Sequence, residues 1–230
     1  MFTGFTDATV DFLWGIRFNN ERGWFLEHKD DYINTFLTPT RELGEQVYDA
    51  VHALLPDEPL MLKVSRIYRD ARRLFGRGPY KDHLWWCIRT GDKDWTGRPT
   101  FWFELGPDYY SFGLGFWSPA AALMETYRKQ IDAHPEELSK LVRQFNRQSV
   151  FTLDGPEYAR SKGQTSDLLR SWYQKKSLSL RWEGPLDERI FTSALAEDII
   201  AGFKTLIPFY HYFNKLVALT PRQERRGEEA

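Results

Sequence analysis

Thr100-Phe101-Trp102-Phe103-Glu104-Leu105-Gly106-Pro107-Asp108-Tyr109-Tyr110-Ser111-Phe112-Gly113-Leu114-Gly115-Phe116-Trp117 decides the fold. Aromatic and β-branched residues fill both halves, and Gly-Pro-Asp sits between them. Such runs read as strands and such a tripeptide as a turn. The reading is an antiparallel hairpin with strands at 100–105 and 109–117. Side chains alternate across a strand. Tyr110, Phe112, Leu114 and Phe116 therefore share one face, and Ser111, Gly113 and Gly115 share the other. Glycines along one face allow close approach by another backbone or a ligand, and a tightly packed helix is the first expectation.

Working outward, 60–68 and 84–89 carry the same strand signature, and 177–183 reads as a further strand. The first 55 residues read as helices. Thr6 or Asp7 would cap one helix and Asn19 or Asn20 a second. Thr38-Pro39 marks the start of another, because proline in the first turn has no amide hydrogen to lose. Helices resume at Ser118-Pro119 and His134-Pro135, and Asp187 is expected to open a long final helix. Helices at both ends of a mostly antiparallel sheet mean an α+β fold. One domain over 1–220 is expected. The polar stretch 221–230 offers nothing to bury and reads as a disordered tail.

The 230 residues suffice for a core without covalent staples. Aromatic residues make up 16%, pointing first to a thick aromatic core and second to a stacking surface. Net charge is −1, so nucleic acid is not an expected partner. Cys87 is the single cysteine, which excludes an intrachain disulfide. It lies in the apolar run Leu84–Ile88 and reads as a buried, inert thiol. The opening residues carry no basic stretch followed by an apolar one, and no window approaches about 18 unbroken apolar residues. A soluble, cytoplasmic protein with no membrane partner is expected.

Between Lys63 and Lys81 the charge balance departs from the rest of the chain. Seven basic residues, Lys63, Arg66, Arg69, Arg72, Arg73, Arg77 and Lys81, face one acid, Asp70. So many like charges repel unless internal carboxylates or an anionic ligand offset them. Leu74-Phe75-Gly76-Arg77-Gly78-Pro79-Tyr80 reads as a loop with two glycines and free amides beside arginines. Arginine's planar fork matches carboxylate and phosphate. The spacing matches neither a Walker loop nor a dinucleotide fingerprint, so no cofactor is expected. Three readings remain open: an internal salt-bridge network, an anion site, and a solvated basic face. As an anion site it would use Arg66, Arg69, Asp70, Arg72, Arg77, Tyr80 and Lys81, with Asp70 orienting the arginines.

Glu104 and His83 are possible accessories. A carboxylate in the aromatic strand 100–105 needs a partner, and an arginine of 66–72 is the expected one. His83 is the one histidine near the basic segment. No histidine pair has zinc-ligand spacing, so no metal is expected. Lys175-Lys176, near Arg170, Trp172 and Tyr173, reads as a surface strand edge before it reads as a single-strand binder.

Several blocks carry a family resemblance. One is Asn19-Asn20 with Trp24-Phe25, Lys29, Tyr32 and Pro39. Another is Arg66-Ile67-Tyr68-Arg69-Asp70 with Arg72, followed by Pro79-Tyr80-Lys81. A third is Gly113-Leu114-Gly115-Phe116-Trp117. On these, over about Phe5 to Tyr212, the chain resembles the conserved hypothetical proteins catalogued as domain of unknown function 2461. Family members commonly read Arg-Phe-Ser, then Asp-Lys, before Pro-Tyr-Lys. Here Arg72-Arg73-Leu74 and Gly76-Arg77 stand instead, so an acid is lost and a base gained. The resemblance implies a shared fold and site region and supplies no activity.

The functional expectation is a binding module for a small anionic, phosphate-bearing ligand. One alternative is an enzyme acting on such a ligand with Asp70 or Glu104 as acid/base. Another is a non-catalytic interaction protein whose arginine network is structural.

Overall fold

In a computed structural model that describes residues 1–221, the expected hairpin forms, with Pro99–Leu105 and Tyr110–Phe116 paired antiparallel. Its turn closes through the Gly106 amide, which donates to the Tyr109 carbonyl at 2.9 Å. Around the hairpin the chain runs as α1 (Asp7–Phe18), α2 (Arg22–Glu27) and a short α3 (Lys29–Asp31). A π-helical stretch, Tyr32–Leu37, leads without a break into α4 (Thr38–Leu54). Strands β1 (Leu60–Val64), β2 (Leu84–Thr90), β3 (Pro99–Leu105) and β4 (Tyr110–Phe116) follow. Then come α5 (Ala121–Ala133), α6 (Pro135–Phe145), β5 (Thr152–Asp154), α7 (Arg170–Tyr173), β6 (Ser179–Gly184) and α8 (Ala194–Leu219). The strands make one six-stranded sheet, ordered β1-β2-β3-β4-β6-β5, with every neighbouring pair antiparallel. The architecture is α+β.

The two faces of the sheet differ. Trp86, Ile88, Phe101, Phe103, Phe112 and Leu114 are buried on one face. There α4 and α8 pack, and the Phe203 ring of α8 meets Trp86, Phe101 and Phe112. Burying an aromatic side chain contributes roughly 1.5–3 kcal/mol, so this stack contributes several kcal/mol of cohesion. The opposite face carries Trp85, Arg89, Trp102, Glu104 and Arg181, all partly exposed. It is the functional candidate.

The glycines of β4 lie on this second face, as their alternation requires, but no helix explains them. A Cβ on Gly113 would stand 2.2 Å from the Leu180 carbonyl oxygen, and one on Gly115 2.6 Å from that of Leu178. The close neighbour is the adjoining strand backbone.

Other boundaries shift for local reasons. The strand expected over 60–68 stops at Val64. Ser65 still exchanges hydrogen bonds with Trp85, its amide to the carbonyl at 2.8 Å and its Oγ from the amide at 3.1 Å, before the chain leaves the sheet. Asp187 opens only a 3-10 turn, Glu188–Phe191, by accepting from the Arg189 amide at 3.1 Å; the long helix begins at Ala194. Glu21, not an asparagine, precedes α2. β5 is short and exposed, with too little alternation to be read in advance. The tail expected beyond Thr220 lies, except for Pro221, outside the described residues. Among the described residues no helix is long and apolar enough to cross a membrane.

Candidate functional site

Between β1 and β2 the chain makes an excursion that folds back on itself. Tyr68 and Tyr80 form an isolated antiparallel bridge. The Arg69 amide donates to the Pro79 carbonyl at 2.8 Å, and the Lys81 amide to that of Ile67 at 2.7 Å. Asn20, just before α2, holds the returning limb. Its Nδ2 donates to the Tyr80 carbonyl and its Oδ1 accepts from the Tyr80 amide, both at 2.9 Å. Gly78 is required beside this clamp, because a Cβ there would meet Asn20 Oδ1 at 2.2 Å. The Tyr80 ring is buried and stacks on Phe25 at 4.2 Å. Phe75 and Gly76 turn the tip with positive φ, 47° and 79°.

The arginines divide into groups. Arg69 is partly buried; its Nε donates to the Tyr80 carbonyl at 2.6 Å, and its Nη2 lies 3.5 Å from Asp82. Asp82 also accepts from Arg17 Nε at 2.8 Å and faces His83 Nδ1 at 3.2 Å. His83, then Arg17, hold its carboxyl far below the usual range against the opposing pull of burial. Arg17 reaches on to Asp108 at 3.2 Å. Asp82 is thus the hub of an ion-pair network tying α1, the excursion and the β3–β4 turn together. It stands one residue beyond the basic segment and escaped the sequence reading. Asp70 holds Arg72, accepting from its guanidinium at 2.7 Å and its amide at 3.1 Å. Arg77 Nε donates to the Leu74 carbonyl at 3.3 Å.

A second group converges at the start of β2. The Lys81 ammonium donates to the Arg66 carbonyl and lies over the Trp85 ring, 5.7 Å from its centroid. Burial, then Arg69 and Arg66, lower the Lys81 pKa, and Glu104 opposes them. The exposed Arg66 guanidinium has no carboxylate partner among the described residues. Arg66, Arg69 and Lys81 therefore share one corner, and the Arg77 charge is felt by Arg69.

Trp85 joins this corner to a hollow of about 280 Å³ on the open sheet face. Indoles wall it. Trp85 and Trp95 each stand 6.4 Å from Trp117, tilted by 34° and 40°, and Trp102 lies on the adjacent strand. Arg89 rests over Trp95 at 4.7 Å and Arg181 over Trp102 at 5.8 Å. Polar groups cross the hollow strand by strand. Glu104 on β3 is opposite Ser111 on β4, and Gly113 is opposite Arg181 on β6. The partner of Glu104 is the Tyr109 hydroxyl, which donates to it, rather than an arginine of 66–72. Burial, then that carboxylate, raises the Tyr109 pKa, keeping the phenol a donor. Arg181 pairs with Glu183 and, at 3.6 Å, with Asp154, yet its buried Nε finds no partner among the described residues. Ser111 is 1% exposed and its Oγ also finds none among the described residues. Cys87 lies at the floor, buried, with its thiol pushed up to about 11 by desolvation.

The alternation in β4 and the aromatic content were visible signals of this face. Its polar row was not, because it is assembled across three strands.

The chain belongs to the family of conserved hypothetical proteins catalogued as domain of unknown function 2461, whose model matches residues 8–212. No curated protein matches it.

Proposed function

We propose that this member of the family is a binding module for a small anionic, phosphate-bearing ligand held at the corner of Arg66, Arg69 and Lys81. One observation carries the reading: Lys81 lies partly buried beside two guanidiniums, and burial first, then Arg69 and Arg66, disfavours its ammonium against the opposing pull of Glu104. A doubly charged oxyanion between these groups would turn the repulsion into attraction and take charge-assisted hydrogen bonds from each. Arg72 pairs with Asp70, and His83 supports the corner through Asp82.

A catalytic reading has one observation in its favour. Glu104 lines the adjoining hollow and shares a proton-bearing contact with Tyr109. A purely structural arginine network describes Arg17 and Arg69 well, but it leaves Arg66 without a role.

The test is thermal unfolding with inorganic phosphate and pyrophosphate, for wild type, Arg66→Ala and Lys81→Met. Ligand at a hundredfold over its dissociation constant stabilises by about 2.7 kcal/mol. Stabilisation of the wild type, reduced in both variants, is expected. Equal shifts in all three proteins, or none in the wild type, would overturn the reading. Arg66 is exposed, so its truncation should cost no more than about 0.5 kcal/mol of stability.

A further inference from the structure

We infer that the tryptophan-walled hollow seats a flat heteroaromatic ring, which makes the ligand class a mononucleotide with its base in the hollow and its phosphate at the Arg66–Lys81 corner. The phosphate half rests on the anion reading above; the ring half does not.

The shape of the lining supports the ring. Trp85, Trp95, Trp102 and Trp117 all line the hollow, with Trp85 and Trp95 tilted by 34° and 40° to Trp117. Base-on-indole stacking is favourable whichever base is present, since each has a π face. A planar base keeps its polar atoms at its edge. The polar atoms of the hollow are gathered in a row to meet such an edge: the Glu104 carboxylate, the Ser111 hydroxyl and Arg181 Nε.

Ser111 is the independent sign of a ligand. A buried polar atom is nearly always hydrogen-bonded, and leaving one unpaired costs about 1–3 kcal/mol. Among the described residues Ser111 Oγ is buried and unpartnered, as is Arg181 Nε, and both residues line the hollow. A hydroxyl can donate or accept, so Ser111 can meet either kind of edge atom.

Size and position agree. The 280 Å³ volume lies just below the roughly 300–1,000 Å³ of pockets that enclose whole drug-sized ligands. It has room for one ring system, so the rest of the ligand must leave it. Trp85 lines the hollow and also lies under the Lys81 ammonium, so a ligand leaving past Trp85 meets the cationic corner at once.

The experiment measures binding of the four nucleoside 5′-monophosphates, their nucleosides, ribose 5-phosphate and a hexanucleotide by calorimetry. It uses wild type, Ser111→Ala, Trp102→Leu and Lys81→Met. Ser111→Ala removes a hydroxyl that bonds nothing, so its melting temperature should not fall and any loss of binding is a loss at the site. Expected is a monophosphate that binds best and a nucleoside that binds more weakly. Both should lose about tenfold in Ser111→Ala and Trp102→Leu. Lys81→Met should weaken the monophosphate and leave the nucleoside unchanged. Ribose 5-phosphate matching every monophosphate, with Ser111→Ala silent, would overturn the ring seat and leave the anion reading standing. A nucleoside binding as tightly as its monophosphate would keep the ring seat and remove the anion reading. No binding by any probe would overturn both. A hexanucleotide binding more tightly than every monophosphate would replace the mononucleotide class with single-stranded nucleic acid.

Discussion

Asn20 replaces a strand partner for Tyr80, accepting from its amide and donating to its carbonyl, each at 2.9 Å. The side-chain amide thereby satisfies both backbone groups of a buried residue sixty positions away. Asn20→Ala leaves the Tyr80 amide unpaired, while the carbonyl keeps its bond from Arg69 Nε, and a buried unsatisfied group costs about 1–3 kcal/mol. The expected loss is about 1–3 kcal/mol by urea unfolding, with an unchanged slope. Asn20→Asp recovers the accepting half only. A loss below about 0.5 kcal/mol in Asn20→Ala would mean that water replaces the clamp.

Asp82 should make stability depend on pH in a defined direction. Hydrogen bonds from His83 and Arg17 hold its folded carboxyl below the ordinary value near 3.9. A depressed acid contributes stability above its unfolded pKa and loses it as pH falls through the folded one. Asp82→Asn should therefore be less stable than wild type at pH 7, by about 1.5–3 kcal/mol for lost charged hydrogen bonds. The gap should narrow as pH drops below about 4. A gap that stayed constant from pH 7 to 2 would show that Asp82 acts through packing, not charge.

How much of this was readable follows from the range of each interaction. Alternation within β4 assigned its side chains to their faces, because the period of two is local. The turn at Gly106-Pro107-Asp108 was legible for the same reason. The basic segment announced itself by charge, but its organiser, Asp82, pairs with Arg17 and Asp108 across long sequence separations. Glu104 was rightly read as needing a partner. That partner, Tyr109, sits across the hairpin turn and carries no charge to advertise it. Asn20 looked like a helix cap because asparagine favours caps; a tertiary contact claimed its side chain instead.

Gly113 should resist any side chain. A Cβ would stand 2.2 Å from the Leu180 carbonyl oxygen, which belongs to a paired strand and cannot swing away. Overpacking of this kind costs about 1–3 kcal/mol. Gly113→Ala should lose that much by thermal or urea unfolding. Gly23 has open space around it, so Gly23→Ala is the control, expected to gain slightly from helix propensity at its place in α2. Equal stability in the two variants would contradict the close strand approach.

Cys87 tests the floor of the hollow without perturbing it. The thiolate is the reactive form, and desolvation pushes the pKa of this thiol up to about 11. At pH 8 an ordinary cysteine near 8.5 is about a quarter ionised, whereas a thiol at 11 is ionised to about one part in a thousand. Alkylation of the folded protein by iodoacetamide should therefore be slower than that of the urea-unfolded chain by about two orders of magnitude. Burial of the sulfur at 3% exposure should slow it further. The rate should rise about tenfold per pH unit from 8 to 10, since the thiolate fraction does. A native rate within a factor of about three of the unfolded rate would place Cys87 in contact with solvent and open the floor of the hollow.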